Sequence, residues 1–138
     1  MKNKICLFGF FLILFPLVNA QVEKQNQYDV NFNTSQNDAM FPGGNDSMMT
    51  FIWNHLIYPD DARNNNVSGE VQISFDVNFD GRVINFSKLS DLGYGLEDEL
   101  IRVVKEMPLW IPATINNVKI RQQFILSFPI SRYNIKND

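Results

Sequence analysis

Hydrophobic residues recur along this chain with two different periods, and the change of period marks its elements. From residue 45, Met48, Phe51, Ile52 and Leu56 fall on one side at helical spacing. The spacing predicts a helix capped by Asn45 or Asp46, running to about Ile57 and stopped by Pro59. One short helical turn is expected over Pro59–Arg63, with Asp60 and Asp61 at its dipole-favoured start. The period then becomes two. Val71, Ile73, Phe75 and Val77 alternate with Gln72, Ser74 and Asp76, which predicts a strand opening at Gly69. Asn78-Phe79-Asp80-Gly81 reads as a hairpin turn with Gly81 at positive φ. A second strand is expected over Arg82–Leu89, with a bulge between Val83 and Phe86 where the alternation slips.

Helical spacing returns at Leu96–Met107. Leu96, Leu100, Ile101, Val103, Val104 and Met107 form the stripe, Glu97, Asp98 and Glu99 fill the first turn, and Pro108 ends it. A last strand is predicted over Val118–Phe128, with Val118, Ile120, Phe124, Leu126 and Phe128 on one face. The expected fold is therefore α+β and two-layered. A three-stranded antiparallel sheet, made of the hairpin plus the C-terminal strand, carries helices on one face.

The flanks differ in character. Met1-Lys2-Asn3-Lys4, the uncharged run Ile5–Phe15, Pro16 and Val18-Asn19-Ala20 have the layout of a secretory signal cut after Ala20. The apolar run falls short of the roughly 20 residues a membrane span needs. The expected organisation is a signal peptide at 1–20, a flexible polar lead at 21–40, one domain at 41–130 and a tail at 131–138. Alternation at Tyr28–Phe32 allows a short strand in the lead. Pro42 keeps Phe41 extended, and Gly43-Gly44 turn the chain into the helix, with Phe41 packing back on its first turn.

Export adds three constraints. Loss of Lys2 and Lys4 moves the net charge from −3 to −5, which argues against nucleic acid as a partner. Cys6 is the only cysteine and leaves with the signal, so no disulfide is expected. An exported location follows from the same signal.

Catalytic chemistry finds little to work with. His55 is the only histidine, and the Glu97-Asp98-Glu99 run is explained by its place at a helix start. Asp76-Val77-Asn78-Phe79-Asp80-Gly81 imitates the opening of a calcium loop, but Ser87 stands where the bidentate Glu belongs and the flanks read as strands. The expectation is no enzyme, no cofactor, no metal and no small-molecule substrate. The four Asn-x-Ser/Thr tripeptides, beginning at Asn33, Asn45, Asn66 and Asn85, are read as coincidence in an Asn-rich chain.

Seven short motifs occur in order: Phe41-Pro42-Gly43-Gly44; Tyr58-Pro59 with Ala62; Gly69-x-Val71 leading to Phe75-x-Val77; Asp80-Gly81-x-Val83; Leu96 with its acidic helix start; Arg102-Val103-Val104-Lys105; and Met107-Pro108-x-Trp110-x-Pro112. Together they make the chain from Phe41 to Pro129 resemble the TonB C-terminal domain, in the branch with F-P-G-G before the first helix. The resemblance implies a periplasmic protein-binding domain. In TonB, the domain grips a short peptide, the TonB box, of an outer-membrane receptor, and the peptide adds beside the last strand. Such pairing satisfies the open N–H and C=O groups of an edge strand. This sequence departs from TonB proper in showing no uncleaved anchor and no Pro-rich spacer. Lys88 and Gln122 also stand where apolar residues are usual, and Leu109 and Ile111 flank Trp110 where polar residues are common.

The resemblance places the partner-binding surface on Ile120, Arg121, Gln122, Gln123, Phe124, Ile125 and Leu126, with Arg121, Gln123 and Ile125 on the exposed face. Leu109, Trp110 and Ile111 add a second apolar patch. The implied partner is a TonB-dependent outer-membrane receptor. The rival readings are an adaptor of the same fold that binds another periplasmic protein or a second copy of itself, and a small hydrolase, which the missing catalytic set disfavours.

Overall fold

The computed structural model of the chain describes residues 35–131. The expected signal peptide, the strand at Tyr28–Phe32 and the tail beyond Ser131 lie outside the described residues. In chain order the elements are β1 (Gln36–Asn37), α1 (Gly44–His55), α2 (Asp60–Asn64), β2 (Gly69–Val77), β3 (Val83–Lys88), α3 (Leu96–Lys105), β4 (Ala113–Ile115), β5 (Val118–Ile120) and β6 (Gln122–Ile130).

The main sheet is antiparallel in the order β3-β2-β6. Its centre is β2, whose Val71, Ile73, Phe75 and Val77 are fully buried. Each such side chain contributes about 1.5–3 kcal/mol on burial. They pair across the sheet with Phe128, Leu126, Phe124 and Gln122 of β6, on the same face. The helices cover that face. Trp53 of α1 meets the Phe128 ring at 4.5 Å. The α3 stripe lies on β2 and β3, with Leu96, Leu100, Val103 and Val104 fully buried.

The hairpin between β2 and β3 forms as its sequence dictates. Gly81 has φ 83°, and its N–H donates to the Asn78 carbonyl at 2.9 Å. The expected bulge is present. Ser74 pairs with Ser87 and Asp76 with Ile84, so Asn85 and Phe86 together oppose Phe75. Asn85 takes φ 56°, a conformation Asn tolerates better than most residues, and its Nδ2 donates to Asp76 at 2.7 Å. The bulge turns Phe86 back onto the core side, where it meets Phe75 at 5.9 Å.

Four expectations change. First, α1 is capped by Gly43 rather than by Asn45 or Asp46, and it ends at His55. Phe41-Pro42-Gly43-Gly44 forms a turn closed by Gly44 N–H donating to the Phe41 carbonyl at 2.8 Å. Gly43, at φ 87° and ψ 3°, has the third-residue geometry of a type II turn, which needs glycine. Second, the Phe41 ring packs beyond the first turn of α1. It reaches Phe51 at 5.9 Å and the edge of Trp110 at 5.8 Å.

Third, the last strand is two strands separated at Arg121. β5 folds back on β4 through Asn116 and Asn117, at φ 50° and 65°, while β6 pairs with β2. One straight strand cannot serve both sheets, so Val118 is exposed rather than sharing the core face of Phe124, Leu126 and Phe128. Fourth, the end of the polar lead is paired. β1 joins β4 and β5 in a second antiparallel sheet, and Met40 bridges to Ile111. No apolar periodicity marks Gln36–Asn37, because both residues are exposed; their backbone pairs with β4, and Asn37 Nδ2 donates to Thr114 Oγ1 at 3.2 Å.

Candidate functional site

The outer edge of β6 follows from hydrogen-bond parity. Gln72 of β2 directs both backbone groups away from β6: its N–H donates to Ser90 Oγ at 2.9 Å and its carbonyl accepts from Leu89 N–H at 2.8 Å. In an antiparallel pair, a residue's N–H and C=O point to the same side, and sides alternate along the strand. Val71, Ile73, Phe75 and Val77 therefore face β6, and their partners Phe128, Leu126, Phe124 and Gln122 face back. Gln123, Ile125, Ser127 and Pro129 direct their backbone groups outward. Among the described residues no strand pairs with that edge. Pro129 has no N–H to offer and sits where a missing donor costs nothing in the ladder.

The ten residues expected to bind a partner separate into three environments. Gln123 is exposed, Ile125 is 61% exposed, and Arg121 is exposed at the break between the sheets, its Nε 3.4 Å from Asn78 Oδ1. Leu109 and Ile111 are also exposed. Ile120, Gln122 and Phe124 are half-buried. Leu126 and Trp110 are buried, so their side chains do not lie on the outer surface with Gln123 and Ile125.

Trp110 instead organises the edge from within. Its ring meets Phe124 at 5.0 Å, Phe75 at 5.5 Å and Phe41 at 5.8 Å, all edge-on. Its indole N–H finds no hydrogen-bond partner among the described residues. Its backbone N–H donates to the Gly81 carbonyl at 2.9 Å, locking the segment after α3 onto the hairpin turn. The same segment carries Ile111, which exchanges two backbone hydrogen bonds with Met40 at 2.8 and 2.9 Å. The Phe-Pro-Gly-Gly and Met-Pro-x-Trp-x-Pro motifs, far apart in sequence, thus meet beside β6.

Gln122 was not legible as a structural residue. Its Oε1 accepts from Ala39 N–H at 2.6 Å, and its Nε2 donates to Asp38 Oδ1 at 2.8 Å. A polar residue at this strand position is explained by that clamp, since it holds the lead. Lys88, the other polar departure, pairs with Asp98 at 2.7 Å on the surface.

Charge chemistry elsewhere is structural. Glu99 accepts from Ile57 N–H at 2.7 Å and from Arg102 at 2.6 and 2.8 Å, while Arg102 also donates to the His55 carbonyl at 2.8 Å. Burial pushes the Glu99 carboxyl up, but the Arg102 and Ile57 hydrogen bonds outweigh it and hold the group below its ordinary value. Arg102 is raised in turn, first by its hydrogen bond to Glu99. His55 stacks on Phe51 at 3.9 Å, and its Nδ1 lies 2.8 Å from the Phe51 carbonyl. Among the described residues no group of three or more His, Cys, Asp or Glu side chains is placed to share a metal ion.

The family profile described as Gram-negative bacterial TonB protein C-terminal matches residues 54–131, more than half of the chain. The chain belongs to this family. The match includes β2, β3, α3 and β6 of the TonB C-terminal domain, while Phe41-Pro42-Gly43-Gly44 and most of α1 precede it. Among solved structures, the chain is similar to the TonB C-terminal domain of Pseudomonas aeruginosa, determined by solution NMR. Identity is 18%, with 55% of this chain and 77% of that one covered and a TM-score of 0.45. No curated protein matches the sequence. No helix among the described residues is long and apolar enough to cross a membrane.

Proposed function

We propose that this domain captures an extended peptide from a protein partner on the outer edge of β6. In this reading the partner is the plug peptide of a TonB-dependent outer-membrane receptor, the meeting place is the periplasm, and the contact serves transport across the outer membrane. The observation that carries the reading is the outward row of backbone groups at Gln123, Ile125 and Ser127, closed by Pro129, in a member of the TonB C-terminal family. An added strand satisfies that row directly, so backbone pairing supplies affinity and alternate side chains supply selectivity. The exposed Ile125 and Gln123 side chains would lie under the added strand's neighbours on one face.

The test uses protein recovered from the periplasmic fraction, with its N-terminus read by mass spectrometry and expected at Gln21. Synthetic peptides from receptor plug segments encoded in the same genome are titrated against it. Binding is expected, and Gln123→Pro should abolish it by removing an outward donor. Circular dichroism establishes that the variant is folded. Arg121→Glu should alter affinity for an acidic peptide and leave stability within about 0.5 kcal/mol. Wild-type binding by folded Gln123→Pro protein would remove β6 as the site, and failure of every receptor peptide would remove the transport reading.

A further inference from the structure

A cavity of about 810 Å³ opens beside the first half of β6. Its walls come from the lead at Asn37, Ala39 and Met40, from the segment after α3 at Ile111 and Pro112, and from Phe124 of β6. Phe124 is the one lining residue contributed by the main sheet. The cavity therefore lies past the sheet's β6 border, on the helix-covered side where the Phe124 ring projects toward Trp110 and Phe75. Two backbone hydrogen bonds hold Met40 and Ile111 side by side, and their side chains remain 45% and 49% exposed. The Gln122 clamp on Asp38 and Ala39 fixes the lead to the start of β6.

A strand added to the β6 edge would lie about 4.8 Å from it. Directly opposed residues on neighbouring strands send their side chains to the same face. The added residue opposite Phe124 must therefore project toward the helix side. Phe124 turns its own N–H and C=O toward β2, so this would be a non-hydrogen-bonded pair in an antiparallel arrangement, the kind with the closest side chains. Beyond Phe124 that face is not filled by core. It is the cavity.

Resting on the proposed docking edge, we infer that this cavity is a side-chain pocket that selects one aliphatic or aromatic residue of the docked peptide, at the position opposite Phe124. Met40, Ile111, Pro112 and Phe124 supply apolar contact, and burying a charged side chain against them would be unfavourable. The Asp38 carboxylate at the rim opposes an acidic residue in particular. The lead thus helps to read the peptide as well as closing the second sheet.

A displayed library of random nine-residue peptides, panned on the purified protein, tests this without a known partner. The selected peptides should share one Leu, Ile, Val, Phe or Tyr position. Replacing that residue by Asp in a synthetic peptide should weaken binding at least tenfold. Ile111→Thr and Met40→Thr, each with folding verified by circular dichroism, should shrink that penalty several-fold. Peptides that bind, are lost on Gln123→Pro and yet tolerate Asp at every position would overturn the pocket and leave the docking edge standing. So would a position preference unmoved by both threonine variants. If no peptide is selected, or the selected peptides bind folded Gln123→Pro protein as they bind wild type, the docking edge falls and the pocket with it.

Discussion

Gly81 shows how one residue joins the two halves of the fold. It sits at φ 83° in the hairpin turn, and a Cβ there would run into the Trp110 carbonyl. That obstacle is backbone, which cannot swing aside. Gly69 has φ 154°, and its Cβ would meet the Leu92 side chain at 3.1 Å, which can move. Gly81→Val should therefore destabilise the domain more than Gly69→Val, by about 1 kcal/mol or more in urea melts. The Asp-Gly dipeptide made the positive φ readable from sequence. The approach of Trp110 was not readable, because it joins residues brought together only by the fold. The same limit explains Trp110 itself: its exposed neighbours Leu109 and Ile111 made a surface patch plausible, while its aromatic partners come from Phe41, Phe75 and Phe124.

At the scale of elements, periodicity identified those that bury one face. β2, β3 with its bulge, α1 and α3 all lie where their apolar spacing placed them, within a few residues at their ends. It marked neither β1 nor β4, which are short, and it ran β5 and β6 together as one strand. A signal for the β4–β5 hairpin existed in Asn116-Asn117 between Ile115 and Val118, since Asn accepts the left-handed conformation such two-residue turns require. The docking edge was legible in part: alternation exposed Arg121, Gln123 and Ile125, but only the Gln72 hydrogen bonds establish which backbone groups of β6 point outward.

Contacts between elements also set a pH response. Glu99 on α3 holds the chain just after α1 through Ile57 N–H and Arg102. Its folded-state value is lowered, so the unfolded chain takes up the proton first as pH falls. The stabilisation is complete above the unfolded value of about 4.3 and is lost as pH drops through it toward the lower folded value. Glu99→Gln should cost about 1 kcal/mol at pH 7 and flatten the stability profile below about pH 5. An unchanged acid slope in chemical melts of this variant would assign the response to other carboxylates.

At the scale of the whole molecule, the lead determines where the domain begins. The motif match placed its start at Phe41, yet residues 35–40 carry the β1–β4 pairing, both Met40–Ile111 hydrogen bonds and the two bonds from Gln122. Ala39 is buried as well. These contacts tie the lead to the segment that positions Trp110 and to the start of β6, so they belong to the stability of the docking edge. A chain beginning at Ser35 keeps every one of these contacts, as does one beginning at Gln21. A chain beginning at Phe41 should lose about 2 kcal/mol or more, because several hydrogen bonds worth roughly 0.5–1.5 kcal/mol each go with it and the Gln122 side chain loses both partners. Its β6 backbone would still pair with β2, since none of that ladder involves the lead. The shortened protein should therefore retain peptide binding through the edge but lose the apolar preference opposite Phe124. Urea melts of the three chains and titration with one selected peptide and its Asp-substituted form separate the two effects. Equal stability of all three chains would place the domain start at Phe41 after all, and an unchanged Asp penalty in the shortest chain would show that the lead takes no part in reading the peptide.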